Sequence, residues 1–98
     1  SKGAIASMSR TWALELAGEG ITVNTVAPGP IETEAFIQNN PPGDPRTEAI
    51  INNVPVKRIG NPADVAHAVS FFLDEKSGFI TGQTLYVCGG LTVGTCTF

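Results

Sequence analysis

The chain has 98 residues, of which 42% are hydrophobic and 15% are charged, and its formal net charge is -3. This composition excludes intrinsic disorder, and the acidic balance with six scattered Lys and Arg residues argues against a nucleic-acid partner. No apolar run reaches the roughly 18 residues of a membrane span, so we expect a soluble, cytoplasmic protein with no membrane partner.

The first predicted helix covers residues 3–17 and ends at Gly18 and Gly20. Its large apolar residues recur at helical spacing: Ile5, Met8, Trp12 and Leu16. We expect this stripe to cover the sheet of its own subunit, to contact another helix, or to do both.

A short strand is predicted over residues 21–27, and it stops at Pro28-Gly29-Pro30. Ligands of α/β proteins bind at the carboxyl ends of strands, so this turn is the leading candidate site. Gly29 allows close approach of the backbone to a flat ligand, the two prolines stiffen the chain, and Thr33 adds a hydroxyl. A planar amide such as nicotinamide would suit this turn.

Residues 34–57 form the least regular stretch, because prolines interrupt it repeatedly. Short helices are predicted at 34–38 and 47–52, on either side of the Pro-rich break.

A second long helix is predicted to begin after Asn61, which caps free amides, with Pro62 in the first helical position and Asp64 reaching back. It is expected to end at residue 73 or 74. Its predicted buried face comprises Val65, Val69, Phe72 and Leu73.

After a turn at 77–82, a second strand is predicted over 83–88, ending at Gly89-Gly90. The strand–helix–strand order implies a parallel, right-handed crossover.

The potential metal ligands make no recognisable site in the sequence. His67 is the only His and has no neighbouring ligand cluster, and Cys88 and Cys96 lack a metal spacing. We therefore predict no metal, and we expect both cysteines to be free thiols.

Three segments follow one another along the chain: SKGAIASMSRTWALELAGEG, ITVNTVAPGPIET and RIGNPADVAHAVSFFLDEKSGFITGQTLYVCGG. In this order they resemble the C-terminal half of the short-chain dehydrogenase/reductase family. The family carries a Tyr-x-x-x-Lys helix and then a strand ending in Pro-Gly-x-x-x-Thr. Lys2 matches the motif Lys, and Pro28, Gly29 and Thr33 match the turn.

The resemblance implies an α/β fold, the C-terminal part of a Rossmann-like doubly wound parallel sheet. Residues 1–98 would be the C-terminal half of a single dinucleotide-binding oxidoreductase domain. Residues 34–57 would be its substrate lid, although an ordinary surface loop is the alternative. Asn24 would be a structural amide that braces loops near the site, rather than only an edge-like or hydrogen-bonded strand position.

The implied activity is hydride transfer between NAD or NADP and a small-molecule carbonyl or alcohol substrate. Lys2 would be catalytic: it would lower the pKa of the motif Tyr and hydrogen-bond the cofactor ribose. Without the resemblance, Lys2 would read as a solvated residue at a helix start. Pro28, Gly29, Ile31 and Thr33 would hold the nicotinamide.

Several family features would precede Lys2: the Gly-rich phosphate loop, the Asn-rich strand end, the catalytic Ser and the catalytic Tyr. The only Tyr of this chain is Tyr86. Two strands also make too small a sheet for a closed core. We therefore expect the N-terminal half of the same enzyme as a partner, no activity from this chain alone, and a homodimer or homotetramer by analogy.

Two alternatives remain open on the sequence. In the first alternative the chain is a non-catalytic oligomerisation or binding module. The presence of Lys2 and of the intact turn argues against this alternative. An unrelated small α/β protein would require a complete core within 98 residues.

Overall fold

A computed structural model of the chain describes residues 2–94, with side chains from Gly3 onward. Four α-helices and two strands follow in chain order: α1 Lys2–Leu16, β1 Thr25–Pro28, α2 Glu34–Asn39, α3 Pro45–Asn53, α4 Pro62–Leu73 and β2 Thr84–Val87. Single 3-10 turns lie at Ala17–Glu19 and Glu75–Ser77.

The chain divides into two compact units. The first contains the residues up to Ala27 together with His67–Leu85, and the second contains Pro28–Ala66 together with the residues from Tyr86 onward. The first unit therefore holds α1 and most of α4, whereas the second holds the turn after β1, α2 and α3.

The two strands are neighbours in one parallel sheet, as the strand–helix–strand order predicted. In the first unit the Thr25 N–H donates to the Gln83 carbonyl at 2.8 Å, and in the second the Gly29 N–H donates to the Val87 carbonyl at 2.9 Å. Between these two bonds both strands advance by four residues in the same direction, which is the parallel register.

The first strand begins later than the predicted residue 21, because side chains replace part of the backbone ladder. The Val23 N–H donates to Thr81 Oγ1 at 3.0 Å. Asn24 Nδ2 donates to the Ile80 carbonyl at 3.0 Å, and Asn24 Oδ1 accepts from the Gln83 N–H at 3.1 Å. Asn24 therefore braces the loop before β2, whereas its closeness to the site stays a prediction.

The helices follow their local capping chemistry. Both short helices of the irregular stretch exist, and α3 begins two residues earlier than predicted because Asp44 caps it by accepting from the Arg46 N–H at 2.9 Å. The predicted start of α4 is confirmed: the Asn61 N–H donates to Asp64 Oδ2 at 2.8 Å and the Asp64 N–H donates to Asn61 Oδ1 at 3.1 Å. These two bonds form a reciprocal capping box.

The apolar faces are much less buried than the sequence predicted. Among the described residues, the buried hydrophobic side chains are Ala13, Val54 and Ala68. On α4, Val69 and Leu73 are exposed although they belong to the predicted buried face, and the α1 stripe residues Met8 and Trp12 are about half exposed. The expectation failed because a buried face needs a covering layer, which residues 2–94 do not supply over these side chains.

Within the part of the chain that is described, no helix has both the length and the apolar character to cross a membrane.

Candidate functional site

The turn after β1 begins at Gly29, and packing against Cys88, the residue that follows β2, requires a glycine there. A Cβ added at Gly29 would lie 2.9 Å from both Cα and Cβ of Cys88. Close contact of this kind with backbone cannot be relieved by a rotamer change. The glycine is thus explained by strand packing, independently of the ligand approach that the sequence suggested.

The other side of the turn is hydrogen-bonded to Gly60. The Gly60 N–H donates to the Pro30 carbonyl at 3.0 Å, and the Glu32 N–H donates to the Gly60 carbonyl at 2.7 Å, forming an isolated parallel bridge at Ile31. The Ile31 side chain lies over Gly60, where its Cδ1 would be 2.8 Å from an added Cβ. The Ile31 N–H itself donates to no acceptor within the described residues.

Thr33 ends the turn and caps the next helix. Its Oγ1 accepts from the Phe36 N–H at 3.2 Å. A hydroxyl has one hydrogen and two lone pairs, so this cap leaves Thr33 Oγ1 with its own hydrogen and a second lone pair. This cap was not predicted from the sequence, although a Thr directly before a helix is a recognised signal for it.

An ion pair beside the turn was also missed. Arg58 Nη1 donates to Asp64 Oδ2 at 2.9 Å and Arg58 Nη2 donates to Asp64 Oδ1 at 3.3 Å, a two-point contact. Hydrogen bonds from Arg58 and from the Asn61 backbone hold the pKa of Asp64 below its ordinary value, and the same contact raises the pKa of Arg58. The spacing of six residues follows no helical pattern, so the sequence held no signal for this pair.

A small cavity of about 60 Å³ lies beside these residues in the second unit; its lining includes Pro30, Arg58, Gly60, Asp64 and Cys88. The chain after β2 closes around it, since Gly89 adopts φ of 64° and an added Cβ there would lie 2.6 Å from Val54 Cγ1.

A larger groove of about 320 Å³ is formed by the irregular stretch and its two short helices. Apolar side chains line it together with charged ones: Phe36, Ile37, Ile51, Ile59, Glu32, Glu48, Lys57 and Arg58. Thr47 also lines the groove and is buried, and its hydroxyl has no hydrogen-bond partner within the described residues.

The structure describes only some of the other residues that were predicted from the sequence. Lys2 begins α1, but its side chain lies outside the described residues, as does Cys96. Cys88 is a free thiol, as predicted, and a hydrogen bond with Thr92 lowers its pKa.

The chain has clear relatives among known proteins. A family model described as Enoyl-(Acyl carrier protein) reductase matches residues 1–92. The glucose 1-dehydrogenase of Gluconobacter oxydans is 48% identical over 94 residues, which are 95% of this chain and 35% of that protein. The 3-oxoacyl-[acyl-carrier-protein] reductase of Rickettsia conorii is 42% identical over 91 residues, or 93% of this chain and 36% of that protein.

A solved structure of a 4-hydroxyisoleucine dehydrogenase mutant complexed with NADH and succinate matches with a TM-score of 0.87 and 26% sequence identity, covering 97% of this chain and 39% of that one. The chain thus spans about a third of the length of the curated relatives it matches. Its architecture is the corresponding C-terminal part of an α/β, Rossmann-like parallel sheet. From the matching family model and these relatives, we conclude that the chain belongs to the short-chain dehydrogenase/reductase family.

Proposed function

We propose that the protein is an NAD(P)-dependent oxidoreductase that acts on a carbonyl or alcohol substrate. In this proposal the chain supplies the nicotinamide-binding turn, a catalytic Lys and the substrate lid. The observation that carries the proposal is the Ile31 N–H, a donor without an acceptor among the described residues, two residues before the hydroxyl of Thr33.

The donors and acceptors of the turn complement a nicotinamide carboxamide. The amide oxygen needs a donor, for which the Ile31 N–H is available, and the amide nitrogen needs an acceptor, for which Thr33 Oγ1 retains a lone pair. Pro28 and Gly29 hold the start of the turn beside β2, because the Gly29 N–H donates a hydrogen bond to the Val87 carbonyl. When bound, the cofactor supplies or accepts the hydride.

Lys2 is assigned the catalytic role that the family resemblance implies. Its ammonium would stabilise the phenolate of the family Tyr, lower the pKa of that Tyr and bind the cofactor ribose. The Tyr, the phosphate loop and the rest of the sheet are proposed to come from the N-terminal half of the same enzyme. The relatives that the chain matches are about three times as long as the matched region, which supports this arrangement.

Residues 34–57 are proposed to be the substrate lid. The groove formed by α2, α3 and the chain beside them is lined by the apolar side chains of Phe36, Ile37 and Ile51 together with charged side chains. A substrate with a short aliphatic body and a polar end fits such a lining.

The finer assignments rest on the family alone. We propose a cytoplasmic protein that assembles as a homodimer or homotetramer and that uses NAD or NADP. A non-catalytic association module is the second candidate, and it is favoured by the exposed apolar residues of α1 and α4.

The test is a cofactor-binding and activity assay of the intact protein with NADH and NADPH and a panel of aldehydes and ketones. Thr33→Ser retains the hydroxyl and the cap, so it is expected to keep cofactor affinity, whereas Thr33→Val is expected to weaken it about tenfold. Lys2→Met is expected to lower kcat by about 10²-fold or more, with Lys76→Met as the matched control. Binding of neither cofactor would refute the oxidoreductase and leave the association module.

A further inference from the structure

The direction of the Ile31 N–H is set by a hydrogen bond on the other side of the same peptide group. A peptide unit is planar, so the Pro30 carbonyl and the Ile31 N–H point in fixed, opposite directions. The Pro30 carbonyl accepts from the Gly60 N–H at 3.0 Å, and the Gly60 carbonyl binds the Glu32 N–H at 2.7 Å. Gly60 therefore determines where the Ile31 N–H points.

The segment on both sides of Gly60 is bound by the carboxylate of Asp64. Asp64 Oδ2 accepts from Arg58 Nη1 at 2.9 Å and from the Asn61 N–H at 2.8 Å, so residues on both sides of Gly60 bind one oxygen. Arg58 Nη1 also donates to the Ile59 carbonyl at 3.2 Å. The same Oδ2 would lie 3.5 Å from a Cβ at Gly60, which places the carboxylate directly beside the glycine.

These contacts exceed what the start of α4 requires. The capping box needs only Asn61 and Asp64, which exchange hydrogen bonds with each other. Arg58 adds a two-point contact to Asp64 and a bond to the Ile59 carbonyl. Its contribution is therefore to order the segment between the ion pair and the turn.

We propose that Arg58 and Asp64 are positioning residues for the nicotinamide-binding turn, acting through Gly60 on the peptide between Pro30 and Ile31. The inference rests on the proposed function, because it presumes that this peptide faces the carboxamide. Neither charged side chain is assigned a contact with the cofactor. Breaking the ion pair thus weakens binding of the nicotinamide end and leaves the adenosine end unaffected.

The experiment compares two ligands in the intact protein. Kd is measured for NADH or NADPH, whichever binds the unmodified protein more tightly, and for ADP-ribose or its 2′-phosphate, which lack nicotinamide. Arg58→Met is expected to raise the Kd of the dinucleotide by up to about fivefold, the upper end for an exposed ion pair. The Kd of the ADP-ribose ligand stays within about twofold.

Two further variants separate positioning from general stability. Arg46→Met breaks a second ion pair, Arg46 Nε to Asp44 Oδ1 at 3.8 Å, and is expected to leave both Kd values unchanged. Arg58→Lys keeps the charge but not the two-point geometry, so it is expected to recover part of the dinucleotide affinity. Folding is not at risk, because the Arg58 side chain is 57% exposed.

Amide hydrogen exchange of the variant without cofactor gives a second readout. Arg58→Met is expected to speed exchange at Glu32 and Gly60, whose N–H groups bond the two segments, and to leave Thr25 unchanged. Unchanged exchange would overturn the coupling, and an equal rise of both Kd values would assign the pair a merely structural role. Absence of dinucleotide binding by the unmodified protein would instead overturn the proposed function, and this inference with it.

Discussion

Gly29 is the residue of the turn whose identity is most directly determined by packing. An added Cβ would meet Cα and Cβ of Cys88 at 2.9 Å, a backbone contact that the neighbour cannot relieve. Gly29→Ala is therefore expected to lower the free energy of unfolding by about 1–3 kcal/mol in urea denaturation of the intact protein. Gly18→Ala is the control, since a Cβ there meets nothing within 4 Å. Equal stability of the two variants would contradict the packing argument.

Asp64 makes the local stability depend on pH. Its pKa is lowered in the folded state, chiefly by the Arg58 hydrogen bond, so the unfolded chain takes up this proton first as the pH falls. The stabilisation is present above the ordinary Asp pKa of about 3.9 and is lost as the pH falls through the lowered value.

Asp64→Asn removes this titration while retaining a side-chain oxygen for the cap. The stability difference between the unmodified protein and Asp64→Asn is expected to shrink with acidification below about pH 4, measured by urea denaturation at several pH values. A difference that stays constant down to pH 2 would refute the assignment.

At the scale of elements, Asn24 holds the segment before β1 against the loop before β2. Its amide makes two hydrogen bonds to backbone groups more than 50 residues away, at the Ile80 carbonyl and the Gln83 N–H. Asn24→Ala leaves the partly buried Ile80 carbonyl and the exposed Gln83 N–H without this partner, and the loss at the Ile80 carbonyl is expected to cost about 1–3 kcal/mol of stability.

The matched control is Asn39→Ala. The Asn39 amide donates to the Ala35 carbonyl within its own exposed helix, so its loss is expected to cost a few tenths of a kcal/mol, at most about 0.5. Thermal unfolding of the two variants separates long-range bracing from local side-chain bonding, and similar melting temperatures would refute the bracing role.

At the scale of the whole molecule, few hydrophobic side chains within residues 3–94 are buried. Of the described residues, the buried hydrophobic side chains are one Val and two Ala, whereas Leu14, Leu73 and Phe79 are more than three-quarters exposed. Such exposure in one small chain is typical of surfaces that other polypeptide covers.

The 98-residue chain by itself is therefore expected to unfold without a sharp transition and to bind the dye ANS, whereas the chain joined by the proposed N-terminal half is expected to melt cooperatively. Calorimetry measures how cooperative the unfolding transition is. An intact mass identifies the species that unfolds, because the chain alone has a mass of 10.2 kDa. Cooperative unfolding of a 10.2 kDa species would contradict the need for a covering partner. Family membership already excludes the unrelated small α/β protein.

Local patterns were sufficient for most elements, because helix caps and turns depend on residues within four positions of one another. The box at Asn61 and Asp64, the Gly-terminated end of α1 and the turn at Pro28 were all predicted in place. The candidate turn was likewise found from its residue types, although its use as a cofactor site stays a proposal.

The tertiary structure decided what joins positions far apart in the chain. The reason for Gly29 lies at residue 88, the support of Ile31 lies at residue 60, and the partners of Asn24 lie beyond residue 79. It also corrected the buried face of α4, whose Val69 and Leu73 are exposed. Burial and long-range pairing depend on which segments meet in space, and hydrophobic periodicity specifies a face without specifying what covers it.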